Sequence, residues 1–105
     1  MTRATINAGI CGFKTVVRAE ADENLIVTFD IETDCDTIRR LADALPPVDS
    51  YAEIGDGFDG QIHPVVRDTL KGCCSGCVVS WGIFESMQVA ARLALPAPIS
   101  IDIVA

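Results

Sequence analysis

The sequence predicts an α+β domain in which helices cover one face of a four-stranded mixed sheet. Three stretches near the start alternate apolar and polar residues, as half-buried strands do, and a fourth alternating stretch lies near the end. Between them, apolar residues recur at helical spacing. The predicted strands are residues 4–8, 13–20, 25–32 and 99–104, and the predicted helices are residues 35–45, 64–72 and 79–95. The element order is therefore β-β-β-α-α-α-β.

The first three strands are joined by short turns. Gly9 and Gly12 bracket a loop between the first two strands, which places Cys11 at the tip of a hairpin. Residues 21–24 carry Asp, Glu and Asn and indicate a second turn. These three strands are expected to form an antiparallel meander.

Capping residues and prolines mark the predicted helices. Thr33 or Asp34 supplies a capping oxygen for the first helix, and Pro46-Pro47 ends it, so Cys35 falls in its first turn. Pro64 is suited to the start of the second helix. The third helix carries an apolar stripe that includes Ile83 and Met87, and Trp81 is also expected in the core.

The predicted last strand sets the expected sheet order. Pro96 and Pro98 allow a tight turn from the last helix into residues 99–104, so helix and strand are expected to run antiparallel. The crossover rule for helical connections favours a last strand parallel to the first one. The sequence thus predicts the strand order 3-2-1-4.

Composition sets the class of protein. The 105 residues, half of them apolar, suffice for one hydrophobic core, so residues 1–105 are expected to form a single domain. The first residues lack the pattern of a signal peptide, and no apolar run approaches the roughly 20 residues of a membrane span, which favours a cytoplasmic protein. A net charge of −7 argues against nucleic acid and anionic membranes as partners. Composition leaves monomer and homodimer both open.

The cysteines are the chemically reactive residues of this sequence. Three of the five, Cys73, Cys74 and Cys77, lie in one run directly before the longest apolar segment, whereas Cys11 and Cys35 stand at junctions between elements. In a reducing compartment, an odd number of cysteines in a small domain favours free thiols, a metal site or a redox centre over structural disulfides.

The predicted topology brings these thiols together. Cys11 and Cys35 are expected at the same end of the sheet, because the strands that lead to them run in the same direction. A parallel last strand would bring Cys77 to that end as well. Two helix N-termini would then partly offset the charge of several thiolates.

The sequence therefore predicts a metal-thiolate site for an iron–sulfur cluster or zinc. Its ligands would be Cys11, Cys35, Cys77 and either Cys73 or Cys74. A single Cys-x-x-Cys motif suits a cluster slightly better than a zinc ribbon, which usually has two.

Two alternatives stay open. Cys74 and Cys77 have the spacing of a dithiol redox pair, or the cysteines are inert and buried in an interaction module. An enzyme in which His63 activates a cysteine has little support, because a predicted helix separates the two and no orienting acid can be identified. An enzymatic function is therefore not expected.

Five segments of the sequence form a distinctive set: residues 4–13, Asp34-Cys35, Cys77, Gly82-Ile83 and residues 93–96. Together they resemble a family of small single-domain proteins of anaerobic bacteria and archaea that has no established activity. It implies that Cys11, Cys35 and Cys77 are the matching thiols, more so than Cys73 and Cys74. Members of that family also tend to have proline where this chain has Val78 and Ser80. Together with the weaker match at Cys73 and Cys74, this departure implies, as a variant of the site, three thiolates and an exchangeable fourth ligand.

Overall fold

The computed structural model describes residues 1–105 and confirms the α+β class. Four strands are present: β1 (Thr2–Asn7), β2 (Lys14–Ala21), β3 (Ile26–Thr33) and β4 (Val48–Asp49). Four helices follow or separate them: α1 (Asp36–Ala44), α2 (Ser50–Asp56), α3 (Ile62–Thr69) and α4 (Val79–Ala90). Short 3-10 turns span Gly9–Cys11, Gly57–Asp59 and Gly72–Gly76.

The sheet is an antiparallel meander in the order β1-β2-β3-β4. The predicted hairpins between the first three strands are confirmed. Asp22 closes the second turn, where its carboxylate accepts hydrogen bonds from the backbone N–H groups of Asn24 and Ile26 at 2.8 and 2.9 Å. The predicted mixed sheet of order 3-2-1-4 is wrong in its fourth strand, because β4 is a two-residue strand beside β3.

The predicted closing strand at residues 99–104 does not form. No residue after Ala90 belongs to a helix or a strand, and residues 94–105 contribute none of the backbone hydrogen bonds outside those elements. Arg92 ends α4 in the left-handed conformation, and Pro96 and Pro98 lack the N–H groups that a tight hydrogen-bonded reversal would use. The chain therefore leaves the body of the domain instead of folding back onto β1.

One face of the sheet carries the core. Alternate residues of β2 and β3, such as Val17, Ala19 and Val27, are fully buried there, as the period-2 pattern requires. Helices α1 and α4 cover this face through two apolar stripes. The stripe residues in the core are Ile38 and Leu41 of α1 and Val79, Ile83 and Met87 of α4. The opposite face of the sheet is polar and more exposed.

Helix α4 crosses β1 and β2 with its N-terminus at the hairpin end of the sheet. A Cβ on Gly82 would meet the tip of the Ile6 side chain, so the first turn of α4 lies directly on the last part of β1. At its other end, Val89 and Arg92 line the same shallow depression as Met1 and Thr2. Helix α4 therefore runs antiparallel to β1. None of the helices has the length and apolar character needed to cross a membrane.

Candidate functional site

Cys11 and Cys35 lie at the same end of the sheet, as the strand directions predict. Cys11 is in the 3-10 turn at the tip of the β1–β2 hairpin. Thr33, the last residue of β3, pairs with Thr15 at the start of β2, and Cys35 follows as the residue that precedes α1. The hairpin tip and the beginning of α1 are therefore neighbours.

A threonine pair fixes the backbone around Cys35. The hydroxyls of Thr15 and Thr33 are hydrogen bonded at 2.9 Å, and the Thr33 hydroxyl also accepts a bond of 3.1 Å from the backbone N–H of Cys35. The Arg39 guanidinium donates to the carbonyl oxygen of Thr33 at 2.8 Å. Thr15 is almost fully buried, so this link ties Cys35 to the rigid part of the sheet.

The 3-10 turn Gly72–Gly76 brings the other cysteines to this end. The turn begins at Gly72 in the left-handed conformation with φ of 61°, and the N–H of Cys77 closes it on the carbonyl of Cys74 at 3.0 Å. This geometry turns the Cys74 side chain toward the core, while Cys73 stays exposed.

Cys77 lies just before α4 and packs against the core. Partial burial raises the pKa of the Cys77 thiol, and the hydrogen bond that it accepts from the backbone N–H of Val79 lowers it. The negative charges of Cys35, Cys74 and Cys11 raise the pKa further. Cys35, Cys74 and Cys11 therefore each lie within electrostatic reach of Cys77.

The segments that carry Cys11, Cys35, Cys74 and Cys77 thus lie at one end of the sheet. Of Cys73 and Cys74, only Cys74 influences the pKa of Cys77. The parallel last strand that was expected to bring Cys77 to this end does not form. Cys77 reaches this end because the first turn of α4 packs on Ile6 of β1.

The thiols lie at one end of the sheet but do not form a metal-coordination site in the observed arrangement. No three Cys, His, Asp or Glu side chains stand close enough together to hold a metal ion in the observed arrangement. All five cysteines are free, and none is fully buried: Cys11 and Cys73 are exposed and the other three are half-buried. Cys35, Cys74 and Cys77 also pack against the hydrophobic core.

Both lysines of the chain flank the thiols. Lys14 begins β2 at the base of the hairpin that carries Cys11, and Lys71 directly precedes the turn that carries Cys74. Neither lysine takes part in a salt bridge.

A cluster of aromatic rings around His63 was not foreseen from the sequence. The imidazole stacks on Phe84 with ring centroids 5.1 Å apart and also contacts Phe58 and Trp81. Its partial burial lowers the pKa of His63, while the charge of Glu53 raises it and that of Arg67 lowers it. The expectation that Trp81 belongs to the core was wrong, because this residue is 47% exposed. The members of the cluster come from separate segments of the chain, so no spacing in the sequence connects them.

Comparison with known proteins gives one match. A family model described as a family of unknown function, DUF6951, matches residues 2–103. No curated protein and no solved structure matches the chain.

Proposed function

The chain belongs to the DUF6951 family, and because the function of that family is unknown, we propose one from the residues themselves. The protein binds a metal through thiolates, as an iron–sulfur cluster or a zinc ion held by Cys11, Cys35, Cys74 and Cys77. The observation that carries the proposal is the position of the three cysteine-bearing segments, which are the hairpin tip, the start of α1 and the turn before α4, at one end of the sheet. In agreement with this, Cys35, Cys74 and Cys11 each raise the pKa of Cys77. Tetrahedral coordination by four cysteines is common to structural zinc sites and iron–sulfur clusters.

Binding requires a small closure of two turns around two fixed ligands. Cys35 directly precedes α1 and Cys77 lies just before α4, and the core sets the positions of both helices. Cys11 and Cys74 lie in 3-10 turns whose backbones contribute few hydrogen bonds. The metal would draw these two side chains inward, so apoprotein and metal-bound protein differ mainly in the two turns.

Charge neutralisation favours the same four residues. The N-termini of α1 and α4 provide partial positive charge near Cys35 and Cys77, and the backbone N–H of Val79 lowers the pKa of Cys77. Backbone N–H groups that donate to ligand sulfurs are a usual way to stabilise thiolate-bound metals. The raised pKa of Cys77 is a property of the metal-free protein, and the metal would displace its proton.

The same four thiols agree with the family resemblance, and a site made of thiolates agrees with a location in the cytoplasm. Cys11, Cys35 and Cys77 would be the ligands shared within the family, and Cys74 the variable fourth ligand. A thiolate centre of this kind needs a reducing compartment, which is the cytoplasm. The acidic surface makes nucleic acid an unsuitable partner.

The test is anaerobic purification followed by metal analysis, acid-labile sulfide analysis and an absorption spectrum. An iron–sulfur cluster gives iron, sulfide and a broad visible band, whereas a zinc site gives one zinc per chain. We expect Cys77→Ser to lower the bound metal at least about tenfold, because loss even of a residue that only orients a ligand costs about 10–100-fold in affinity. Cys73→Ser is the matched control and retains the metal, because Cys73, unlike Cys11, Cys35 and Cys74, has no influence on the pKa of Cys77.

Two results would contradict the proposal. One is a protein without stoichiometric metal after anaerobic purification and reconstitution with iron and sulfide or with zinc. The other is equal metal loss in both variants.

A dithiol redox pair of Cys74 and Cys77 is the second candidate. The observation that favours it is the hydrogen bond of 3.0 Å from the Cys77 N–H to the Cys74 carbonyl, which holds the two residues in one tight turn. Burial raises the pKa of Cys77, so Cys77 would not be the attacking thiol. Metal-free protein with selective alkylation of Cys74 would favour this candidate.

A further inference from the structure

Residues Ile99–Val104, here called the exposed segment, have the pattern of a strand but no partner. Ile99, Ile101 and Ile103 are 60%, 66% and 89% exposed, and they alternate with Ser100, Asp102 and Val104. β-branched residues in this alternation are typical of a strand with one apolar face. Such a run left in water is a surface for pairing with another strand.

The sheet offers one edge of matching length. Strand β1 is an edge strand of six residues, whereas the opposite edge, β4, has two. On the core side of β1, Ala4 and Ile6 are only half-buried, and on the other side Arg3, Thr5 and Asn7 are exposed. A strand added beside β1 would therefore meet an apolar face and a polar face, which are the two faces of the exposed segment.

We propose that the exposed segment of one copy of this chain pairs antiparallel with β1 of a second copy, and that the exchange is reciprocal in a homodimer. The register places the three isoleucines on the core side and the two polar residues on the solvent side. It pairs Ile99 with Ile6, Ser100 with Thr5, Ile101 with Ala4, Asp102 with Arg3, and Ile103 with Thr2.

Charge complementarity selects this register. Arg3 stands opposite Arg18 in the β1–β2 pair, and Arg18 is already engaged by Asp30 and Glu32 at 3.9 and 3.2 Å. Arg3 takes part in no salt bridge within the chain. Asp102 is the one charged residue of the exposed segment, and pairing across strands would supply Arg3 with the carboxylate that its own chain does not.

The direction of α4 favours a second copy over the chain's own segment. Since α4 runs antiparallel to β1, the chain leaves the helix beside Met1 and Thr2. From that point its own exposed segment would run parallel to β1, although every strand pair of this sheet is antiparallel. An antiparallel approach from the same chain would first need residues 93–98 to travel back along the whole of β1. A second copy has no such constraint.

Charge reversal followed by mixing tests the exchange. Arg3→Glu and Asp102→Lys each place like charges opposite each other twice per dimer, so each variant alone should dimerise about tenfold more weakly than the parent. In a mixture of the two variants, one strand pair joins the unchanged Asp102 of one chain to the unchanged Arg3 of the other. The second strand pair joins the two substituted positions, where a lysine then faces a glutamate, so mixing should restore the dimer. Sedimentation velocity over a concentration series, with a reductant present to prevent disulfide formation, measures it.

Two further variants address the apolar face. Ile101→Ser should weaken the dimer, whereas Val104→Ser, on the solvent side of the register, should leave it nearly unchanged. Because both side chains are exposed in the monomer, neither change should alter its circular dichroism.

A chain that stays monomeric up to near-millimolar concentration would overturn the proposal, whether the segment then pairs with its own β1 or with another protein. A dimer that is insensitive to both charge reversals, or two weakened variants that mixing does not restore, would also overturn it.

Discussion

Arg92 stands in a backbone conformation that its side chain disfavours. Its φ is 63°, and the N–H of Leu93 closes the end of α4 on the carbonyl of Gln88 at 2.8 Å. The left-handed conformation costs an L-residue about 1–2 kcal/mol, whereas glycine adopts it freely at some cost in the entropy of the unfolded chain.

We therefore expect Arg92→Gly to raise the free energy of unfolding by about 0.5–1 kcal/mol, measured by urea denaturation. Arg92→Ala is the control, because it removes the same side chain without relieving the backbone. If the alanine variant gained as much as the glycine variant, the guanidinium and not the backbone would be the source of the strain.

His63 predicts a dependence of stability on pH. Packing among the neighbouring rings lowers the pKa of His63 below its ordinary value of 6.5, so the unfolded chain takes up a proton at a higher pH than the folded protein does. The free energy of unfolding should therefore fall as the pH is lowered from about 6.5 to the pKa of the folded state, and this loss should then level off.

His63→Phe retains a ring at this position and does not titrate. The difference between the pH profiles of the two proteins reports the imidazole together with its interaction with Glu53, because the other carboxylates contribute equally to both. Parallel profiles between about pH 7 and pH 5 would contradict the assigned direction of the shift.

Among single residues, the thiols could be identified from the sequence but their surroundings could not. The alternation of apolar and polar residues, together with the turn and capping residues, was enough to place Cys11 at a hairpin tip and Cys35 at the start of a helix. The Thr15–Thr33 hydroxyl pair could not be predicted, because it depends on the register between two strands. The same holds for the rings around His63, which meet only in the folded chain.

Among the helices and strands, the contact of α4 with β1 fixes the position of the candidate site. Gly82 is the point of closest approach, because a Cβ there would overlap the tip of Ile6 and lie 3.1 Å from its Cγ1. We expect Gly82→Ala to lower the free energy of unfolding by about 1–3 kcal/mol, as overpacking does. The measurement is chemical denaturation.

Shortening the facing side chain should relieve this overlap. Ile6→Val removes the atom that the new methyl group meets, so the double variant Ile6→Val/Gly82→Ala should be more stable than the sum of the two single changes implies. Strictly additive effects would mean that the helix and the strand adjust independently, and that this contact does not hold Cys77 in place.

The strands show which elements could be predicted from the sequence and which could not. The first three were predicted because alternation and turn residues agree over several residues each. Strand β4 could not be predicted, because two residues, Val48 and Asp49, are too few to show an alternating pattern. Residues 99–104 have a strand pattern, and a pattern reports the character of a segment without reporting whether an edge of the same chain can reach it.

For the chain as a whole, the prediction that the thiols converge rested on strand directions that are correct for β1 to β3 and on a last strand that does not form. The meander alone brings Cys11 and Cys35 together, since the hairpin tip and the end of β3 share one end of the sheet. The place of Cys77 followed from helix packing, which depends on the shapes of Ile6 and Gly82 and not on hydrophobic periodicity. The α+β class could be predicted from the sequence, whereas the way in which α4 packs on the sheet could not.

The backbone N–H of Val79, which stabilises the Cys77 thiolate, also makes the site visible to nuclear magnetic resonance. Its proton and nitrogen are sensitive to what the Cys77 sulfur binds. Zinc should shift their amide signal more than that of Met87, which lies about two turns further along the same helix, and a paramagnetic cluster should broaden it beyond detection. An unchanged Val79 signal in metal-loaded protein would mean that the metal is bound elsewhere. In nitrogen-15-enriched protein, a single backbone amide thus reports whether the candidate site is occupied, with no probe attached to the cysteines.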